Sequence, residues 1–345
     1  MGESHQRRGH LGKLMVTMPW WRSAGRIAGA IVLGCAASGA AAQDAASSYP
    51  GKPVRLIDPF PPGGGSGLVA RLVGQKLTEI WGHAFVVDNR AGAGGSIGTD
   101  MAAKAAPDGY TLLMSTASAM VINPHMAALP YDPLRDLAPI ALATTIPLII
   151  TVHPSVPARS VRELIALARA RPGTLNYGSS GNGTISHLAG ELFKILTGAQ
   201  IVQVPYKGGG PALIDLLGGQ VQITFNNILS ALPHVRTEKI RALAVTGAKR
   251  SPAVPDVPTA IESGVAGYEV VQWNGFFAPA RTPRAIVVKL NRAIDQILAQ
   301  PEIRDRLANE GAEVAGGSTE RFGAFVAAEY AKWGKVIHAS NIRAN

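Results

Sequence analysis

With 345 residues, 47% of them apolar, the chain has material for two ordinary domains with large cores, which excludes a disordered protein. The formal charge of +10 falls to +6 once the first 43 residues are set aside, and the remaining basic residues are scattered. That balance suits small anions; with no Lys/Arg run interleaved with aromatics, it excludes a nucleic-acid partner.

The N-terminus carries Arg7, Arg8, Lys13, Arg22 and Arg26 against one acid, Glu3. An apolar stretch over residues 27–37 follows, then Ala40-Ala41-Ala42-Gln43. This is the pattern of a signal peptide over residues 1–42 with cleavage after Ala42. The apolar run is shorter than the roughly 20 residues a membrane span needs. The sole cysteine, Cys35, lies inside this leader, so cleavage leaves a protein without cysteine. Val32-Leu33-Gly34-Cys35 also resembles a lipoprotein cleavage box, which is the alternative processing.

Four glycine-rich stretches then punctuate the chain, each where a strand hands over to a helix. A strand at 54–57 runs into Pro62-Gly63-Gly64-Gly65-Ser66. Leu68, Val69, Leu72, Val73, Leu77 and Ile80 repeat at three and four, one buried helix face. A second strand at 85–87 precedes Gly92-Ala93-Gly94-Gly95-Ser96 and a short helix at 99–106. Pro107-Asp108-Gly109 turns the chain into a strand at 110–114. Residues 146–152 read as a long strand leaving the first domain, and 161–170 as an amphipathic helix. Strand, glycine stretch and helix then recur twice, at 178–184 and 207–210. Pro211 starts the second of these helices and Gly218-Gly219 ends it. Strands follow at 221–225 and 241–246, with a proline-rich loop at 251–258. Residues 268–277 read as a strand returning to the first domain. Helices at 283–298, 301–309 and 319–336 fill the tail.

Alternating strands and helices predict an α/β protein with two mostly parallel or mixed sheets flanked by helices. The two long apolar strands predict two lobes on a double hinge: 49–150 with 271–345, and 151–270. Ligands of open α/β sheets bind beyond the carboxyl ends of the strands, where the glycine stretches fall. Glycine lets backbone approach a ligand, and helix N-termini offer unpaired N–H groups to an anion.

Enzyme motifs are missing. There is no Gly-x-Gly-x-x-Gly, P-loop or His-Glu-x-x-His. No paired carboxylates are apparent, and acids are sparse around the glycine stretches. No cofactor or metal is called for. His125 reads as a loop or surface residue, and His187 as structural or lining the cleft mouth. Asn226-Asn227 reads either as a turn or N-cap pair or as amide donors facing the cleft. Lys207 is a solvated side chain or a counter-ion, and Trp273 a core residue or a ligand platform.

Tyr49-Pro50, Pro59-Phe60-Pro61-Pro62-Gly63-Gly64, Asn89-Arg90, Ala106-Pro107-Asp108-Gly109-Tyr110 and Asn123-Pro124 together spell a pattern. So do Gly181-Asn182-Gly183-Thr184, Val204-Pro205-Tyr206-Lys207-Gly208, Leu216-Leu217-Gly218-Gly219-Gln220 and Pro255-Asp256-Val257-Pro258-Thr259. In order and over essentially the whole mature chain, these motifs resemble the tripartite tricarboxylate transporter substrate-binding proteins, or Bug receptors. The resemblance implies a two-lobed periplasmic binding fold (type II-like), a periplasmic location, and a small carboxylate as ligand. It implies capture by backbone amides and hydroxyls, and delivery to membrane transporter subunits. By position it assigns ligand binding to Phe60, Pro62, Gly63, Gly64, Gly65, Ser66, Thr116, Ala117, Ser118, Ser179, Asn182, Gly183, Thr184, Lys207, Gly208, Gly209 and Asn226. The second glycine stretch is left a structural role. A receptor that opens and closes is expected to be a monomer. The alternatives are a receptor presenting ligand to a two-component sensor and, as a further one, an exported α/β enzyme.

Two positions depart from the family pattern, which often has aspartate where this chain has Gly67 and Asn226. An acid there could pair with a ligand amino group. The expected outcome is tighter binding of succinate-like acids than of aspartate or glutamate; calorimetry giving the reverse order contradicts it.

Overall fold

The computed structural model describes residues 47–343 apart from 63–64, 207 and 310. The expected signal peptide with Cys35, and Gly63, Gly64 and Lys207, lie outside the described residues.

Strand β1 (Val54–Asp58) leads to helix α1 (Gly65–Trp81), then β2 (Phe85–Asn89), α2 (Ser96–Ala103) and β3 (Thr111–Thr116). β1 pairs in parallel with β2 and β3. A π-turn (Ser118–Ile122) and a short helix α3 (Asn123–Met126) follow β3. Strand β4 (Leu137–Val152) is far longer than the sequence suggested. Helix α4 (Val161–Ala170) then opens a second set: β5 (Leu175–Ser179), α5 (Ile185–Thr197), β6 (Ile201–Pro205), α6 (Gly209–Leu217), β7 (Ile223–Asn227), α7 (Ile228–Arg236) and β8 (Arg241–Val245). β5 pairs in parallel with β6 and β7. Strand β9 (Val271–Pro279), helices α8 (Arg284–Ala299) and α9 (Pro301–Asn309), β10 (Glu313–Val314) and α10 (Thr319–Ala339) complete the chain.

Local signals set the helix ends. Ser160 caps α4 by accepting from Glu163 N–H at 3.2 Å, while Glu163 accepts from Arg159 N–H at 2.7 Å. Thr184 caps α5, and Gly198 closes it in the left-handed conformation. Ser318 caps α10 in the same way as Ser160.

β4 and β9 join the two strand sets. From Leu137 to Pro147, β4 runs antiparallel to β9, which pairs on its other edge with β3. From Leu148 to Val152, β4 pairs instead with β7 and, from Ile149, with β8. The changeover falls at Pro147, which cannot donate to a ladder. Thr246 clips it. Its hydroxyl accepts from Leu148 N–H at 2.8 Å and donates to Val270 C=O at 2.6 Å, in a fully buried setting. The main chain adds Thr246 N–H to Leu148 C=O and Val270 N–H to Thr246 C=O, both at 2.9 Å.

The largest core cluster runs through both sets. Trp273, Phe277 and Phe322 pack edge-on or tilted at one end, and Phe193, Phe225 and Tyr268 at the other. A smaller cluster around Leu213, Leu216, Val221 and Ile228 lies under α6 and α7.

Thr246→Val keeps the shape but leaves Leu148 N–H and Val270 C=O without this partner, and a buried unsatisfied group costs about 1–3 kcal/mol. Urea unfolding should show a loss of that order for Thr246→Val and a much smaller loss for Thr246→Ser; equal losses would contradict the clip.

Candidate functional site

The glycine stretch after β1 delivers the chain to α1, whose seventeen residues carry no acid in the first turn. The N–H groups of that turn have no partner within the helix. They border a cavity of about 470 Å³ lined by Phe60, Pro61, Pro62, Gly65, Ser66, Thr116, Ala117, Ser118, Ile146, Ile185, Gln272, Trp273 and Asn274. Three sources therefore converge: the ends of β1 and β3, the two strands β4 and β9, and the start of α5.

Of the residues assigned from the sequence, Phe60, Pro62, Gly65, Ser66, Thr116, Ala117 and Ser118 line this one cavity. Behind them lies Asp58, fully buried at the end of β1. Ser66 Oγ donates to it at 3.1 Å and Asn89 Nδ2 at 2.9 Å. Burial holds the Asp58 carboxyl above the usual carboxylate range, against the pull of Ser66, the Phe60 N–H, Asn89 and Arg71. The first glycine stretch thus has an acid against it, where the sequence reading found acids sparse; Asp58 reads in sequence only as the polar end of an apolar strand. Gly67 sits on the same acid: a Cβ there would lie 2.9 Å from Asp58 Oδ2 and 3.0 Å from an Arg71 guanidinium nitrogen. The second glycine stretch packs from behind, a Cβ on Gly95 meeting Phe60 Cζ at 3.0 Å and Ala119 Cβ at 3.1 Å.

Ser179, Asn182, Gly183 and Thr184 form a separate knot. Gln203 Nε2 donates to Ser179 Oγ at 2.8 Å and to Asn182 Oδ1 at 3.2 Å. Thr184 Oγ1 donates to Gly181 C=O at 2.7 Å and accepts from His187 N–H at 3.4 Å. Gly183 N–H donates to His187 Nδ1 at 3.0 Å. The acceptor role at Nδ1 puts the proton of the neutral ring on Nε2. Gly183 adopts φ +69°, which favours glycine, and a Cβ there would displace the end of the Met126 side chain, whose Cε lies 2.3 Å away. Asn182 and His187 face a second, more polar cavity of about 940 Å³ with Glu191, Lys194 and Arg343.

Gly208, Gly209 and Asn226 form a third group around Ser180. Gly208 N–H donates to Ser180 C=O at 3.1 Å, and a Cβ on Gly209 would lie 3.3 Å from Ser180 Oγ and 3.4 Å from Asn226 Oδ1. Asn226 is buried, with its Nδ2 unpartnered. Its neighbour Asn227 caps α7, accepting from Leu229 N–H at 2.9 Å. His125 is half-buried rather than on the surface. Its Nε2 lies 2.9 Å from Tyr330 C=O and its ring rests on Tyr330.

The sequence reading missed Ile146, Ile185, Gln272 and Asn274 as cavity walls. Gln272 and Asn274 were the available signal, two amides in an otherwise apolar strand. Trp273 combines the two roles weighed for it, being almost fully buried and yet part of the wall.

The sequence profile described as "Tripartite tricarboxylate transporter family receptor" matches residues 69–342. The chain belongs to this receptor family. BugT of Bordetella pertussis is 38% identical over 320 residues, covering 92% of this chain and 98% of the relative. Rpa4515 of R. palustris, solved with adipate, is 39% identical, with a TM-score of 0.69 over 86% of this chain and 99% of the other. MatC of Rhodopseudomonas palustris, solved with malate, is 33% identical, with a TM-score of 0.66 over 84% of this chain and 100% of the other. A TctC solute-binding protein from Polaromonas without ligand is 29% identical, with a TM-score of 0.78 over 84% and 99%. The tripartite tricarboxylate transporter receptors are periplasmic solute-binding proteins rather than enzymes, and the chain has their two-lobed fold. Among the described residues no helix is long and apolar enough to cross a membrane.

His187 carries a pH dependence. Burial pushes its ring below the ordinary 6.5; Glu191 opposes this and Lys194 adds to it. A lowered native value means the contribution is complete above pH 6.5 and is lost as pH falls through that value. Protonation also turns Nδ1 into a donor facing Gly183 N–H. Melting temperature should fall more on mild acidification for wild type than for His187→Gln; equal falls would refute this. His125 is shifted the same way, so only the difference between the two proteins is informative.

Proposed function

We propose that the mature chain captures a small organic carboxylate between two lobes and hands it to the membrane subunits of a tripartite transporter. The lobes are residues 49–150 with 271–345, and residues 151–270. Export by a signal peptide cleaved after Ala42, and action as a monomer, belong to the same reading.

The observation that carries it is the cavity at the start of α1, lined by Gly65 and Ser66 of the first turn together with Thr116, Ala117 and Ser118, because the first N–H groups of a helix and the positive end of its dipole suit an anion. Relatives solved with adipate and malate support a carboxylate as the guest. Among the described lining residues, all but Ile185 come from the first strand set and the joining strands. This suits an open receptor, in which the second lobe has yet to close. Better superposition on the unliganded Polaromonas protein than on the adipate-bound relative, despite lower identity, favours the same view. Closure then draws its driving force from contacts the ligand makes only in the closed arrangement.

The test is a thermal-shift screen of the cleaved protein against mono-, di- and tricarboxylates. A ligand at one hundred times its dissociation constant adds roughly 2.7 kcal/mol of stability. Gly65→Pro probes the anchor. It deletes one N–H at a helix start where proline is tolerated and where a Cβ meets nothing within 4 Å. It should weaken the best carboxylate about tenfold or more, as expected for a hydrogen bond to a charged group, with little change in the melting point of the free protein. Unchanged affinity would overturn the amide anchor.

A further inference from the structure

Behind the cavity at the start of α1, a hydroxyl stands between the open space and a buried acid. Ser66 lines the cavity, and its Oγ donates to Asp58 Oδ1 at 3.1 Å. Asp58 is fully buried. Its other oxygen accepts from Asn89 Nδ2 at 2.9 Å, and the same Nδ2 donates to Phe60 C=O at 2.8 Å. The Phe60 N–H is a further donor to the carboxyl. Arg71, further along α1, is its charged neighbour. Asp88 on β2 is turned to Arg55 and Arg90 instead.

While Asp58 is ionised, the Ser66 hydrogen is committed to it, and Oγ has only lone pairs to offer a guest. Lone pairs repel a carboxylate. One more hydrogen bond of about 2.7 Å, beyond the 3.1 Å already spanned, would bring guest and Asp58 oxygens within about 6 Å. At that range like charges disfavour a second ionised group. Burial already raises the Asp58 carboxyl above the usual carboxylate range. Resting on the carboxylate-receptor reading, we infer that Asp58 and Ser66 make capture proton-linked: as the guest carboxylate arrives, Asp58 takes up one proton and the Ser66 hydroxyl turns from the acid to the guest. The proton comes from solvent. Ser66 Oγ receives it and passes its own hydrogen to Asp58 Oδ1 in one concerted shift. An O–H bond forms at Asp58, Ser66 stays neutral, and no bond of the guest breaks. The new Asp58 O–H then donates to Ser66 Oγ, and the Ser66 O–H donates to the guest. Asn89 keeps its bond to Oδ2, so the acid stays in place. Asp58 is thus a positioning residue, acting on the guest through Ser66.

Calorimetry of the cleaved wild-type protein with hexanoate, adipate, malate and citrate, in buffers of differing ionisation enthalpy, counts the protons. At neutral pH the tightest of these acids should bind with uptake of about half to one proton. The complex holds the proton better than the free protein, so affinity should fall as pH rises, by up to about tenfold per pH unit. Binding without uptake would overturn the inference and leave the carboxylate receptor standing. If none of these acids binds, the carboxylate reading falls and the inference with it. Asp58→Asn offers an amide hydrogen to Ser66 Oγ in the acid's place and serves as the control for the guest's own protons. It should bind the same acid without uptake and at least as tightly as wild type at neutral pH; weaker binding, or uptake equal to that of wild type, would count against the relay. Ser66→Ala keeps the acid and removes the hydroxyl. It should lose about tenfold or more in affinity, as for a hydrogen bond to a charged group, together with most of the uptake; unchanged uptake would refute the role of Ser66.

Discussion

The whole arrangement depends on one stretch of backbone ladder: β4 running first against β9 and then, past Pro147, against β7 and β8. Each set of parallel strands would otherwise be a separate body. Because β4 belongs to both, the ends of β1 and β3 and the start of α5 come to a common cavity. Thr246 fixes the point of passage by occupying groups that Pro147 and the diverging strands leave without ladder partners. The hydrogen bonds there are buried and short, so bending has to occur through main-chain torsions while the clip holds. Ile146, on one side of the passage, and Trp273, on the neighbouring strand, are wall residues for the same reason: they lie where the two sheets part.

The two halves of the cleft are prepared differently. In the second set, Ser179, Asn182, Thr184 and the Gly183 amide are held by Gln203, Gly181 and His187. These bonds hold the loop in one arrangement. In the first set the side chains are anchored to Asp58, and the main chain is left to face the cavity. A buried acid behind an anion site looks contradictory. Burial resolves it by raising the Asp58 carboxyl towards its neutral form, while Ser66, the Phe60 N–H, Asn89 and Arg71 spread what charge it keeps. A side chain at position 67 would displace the Asp58 carboxyl or the Arg71 guanidinium.

Much of this was legible in the residues. Helices α4 and α9 fall where periodicity, proline and caps put them, at Val161–Ala170 and Pro301–Asn309. The strands after which the glycines stand were readable for the same reason: short apolar runs closed by turn residues. The first half of β4 was not, because Pro139 and Pro147 and a series of alanines and threonines hide it; bulges at Pro139/Ala141 and Leu142/Thr144 absorb the mismatch. Helix α7 was hidden by its internal Pro233. At the cavity, lining residues such as Phe60, Gly65, Ser66, Thr116 and Ser118 could be named from sequence, since glycine and hydroxyl residues mark the turns that follow β1 and β3. The apolar walls could not. Ile146 and Ile185 look like any core residue until the topology places them at a cavity.

Three polar atoms lie at the cleft ends of these elements without a partner: Thr116 Oγ1 at the end of β3, Asn226 Nδ2 at the end of β7 and Trp273 Nε1 in β9. A buried group in that state costs about 1–3 kcal/mol. A receptor closes on its ligand only if the closed arrangement gains contacts the open one lacks. Affinity in such a receptor is therefore decided less by the anchor at α1, available in either arrangement, than by what the second half covers when it arrives.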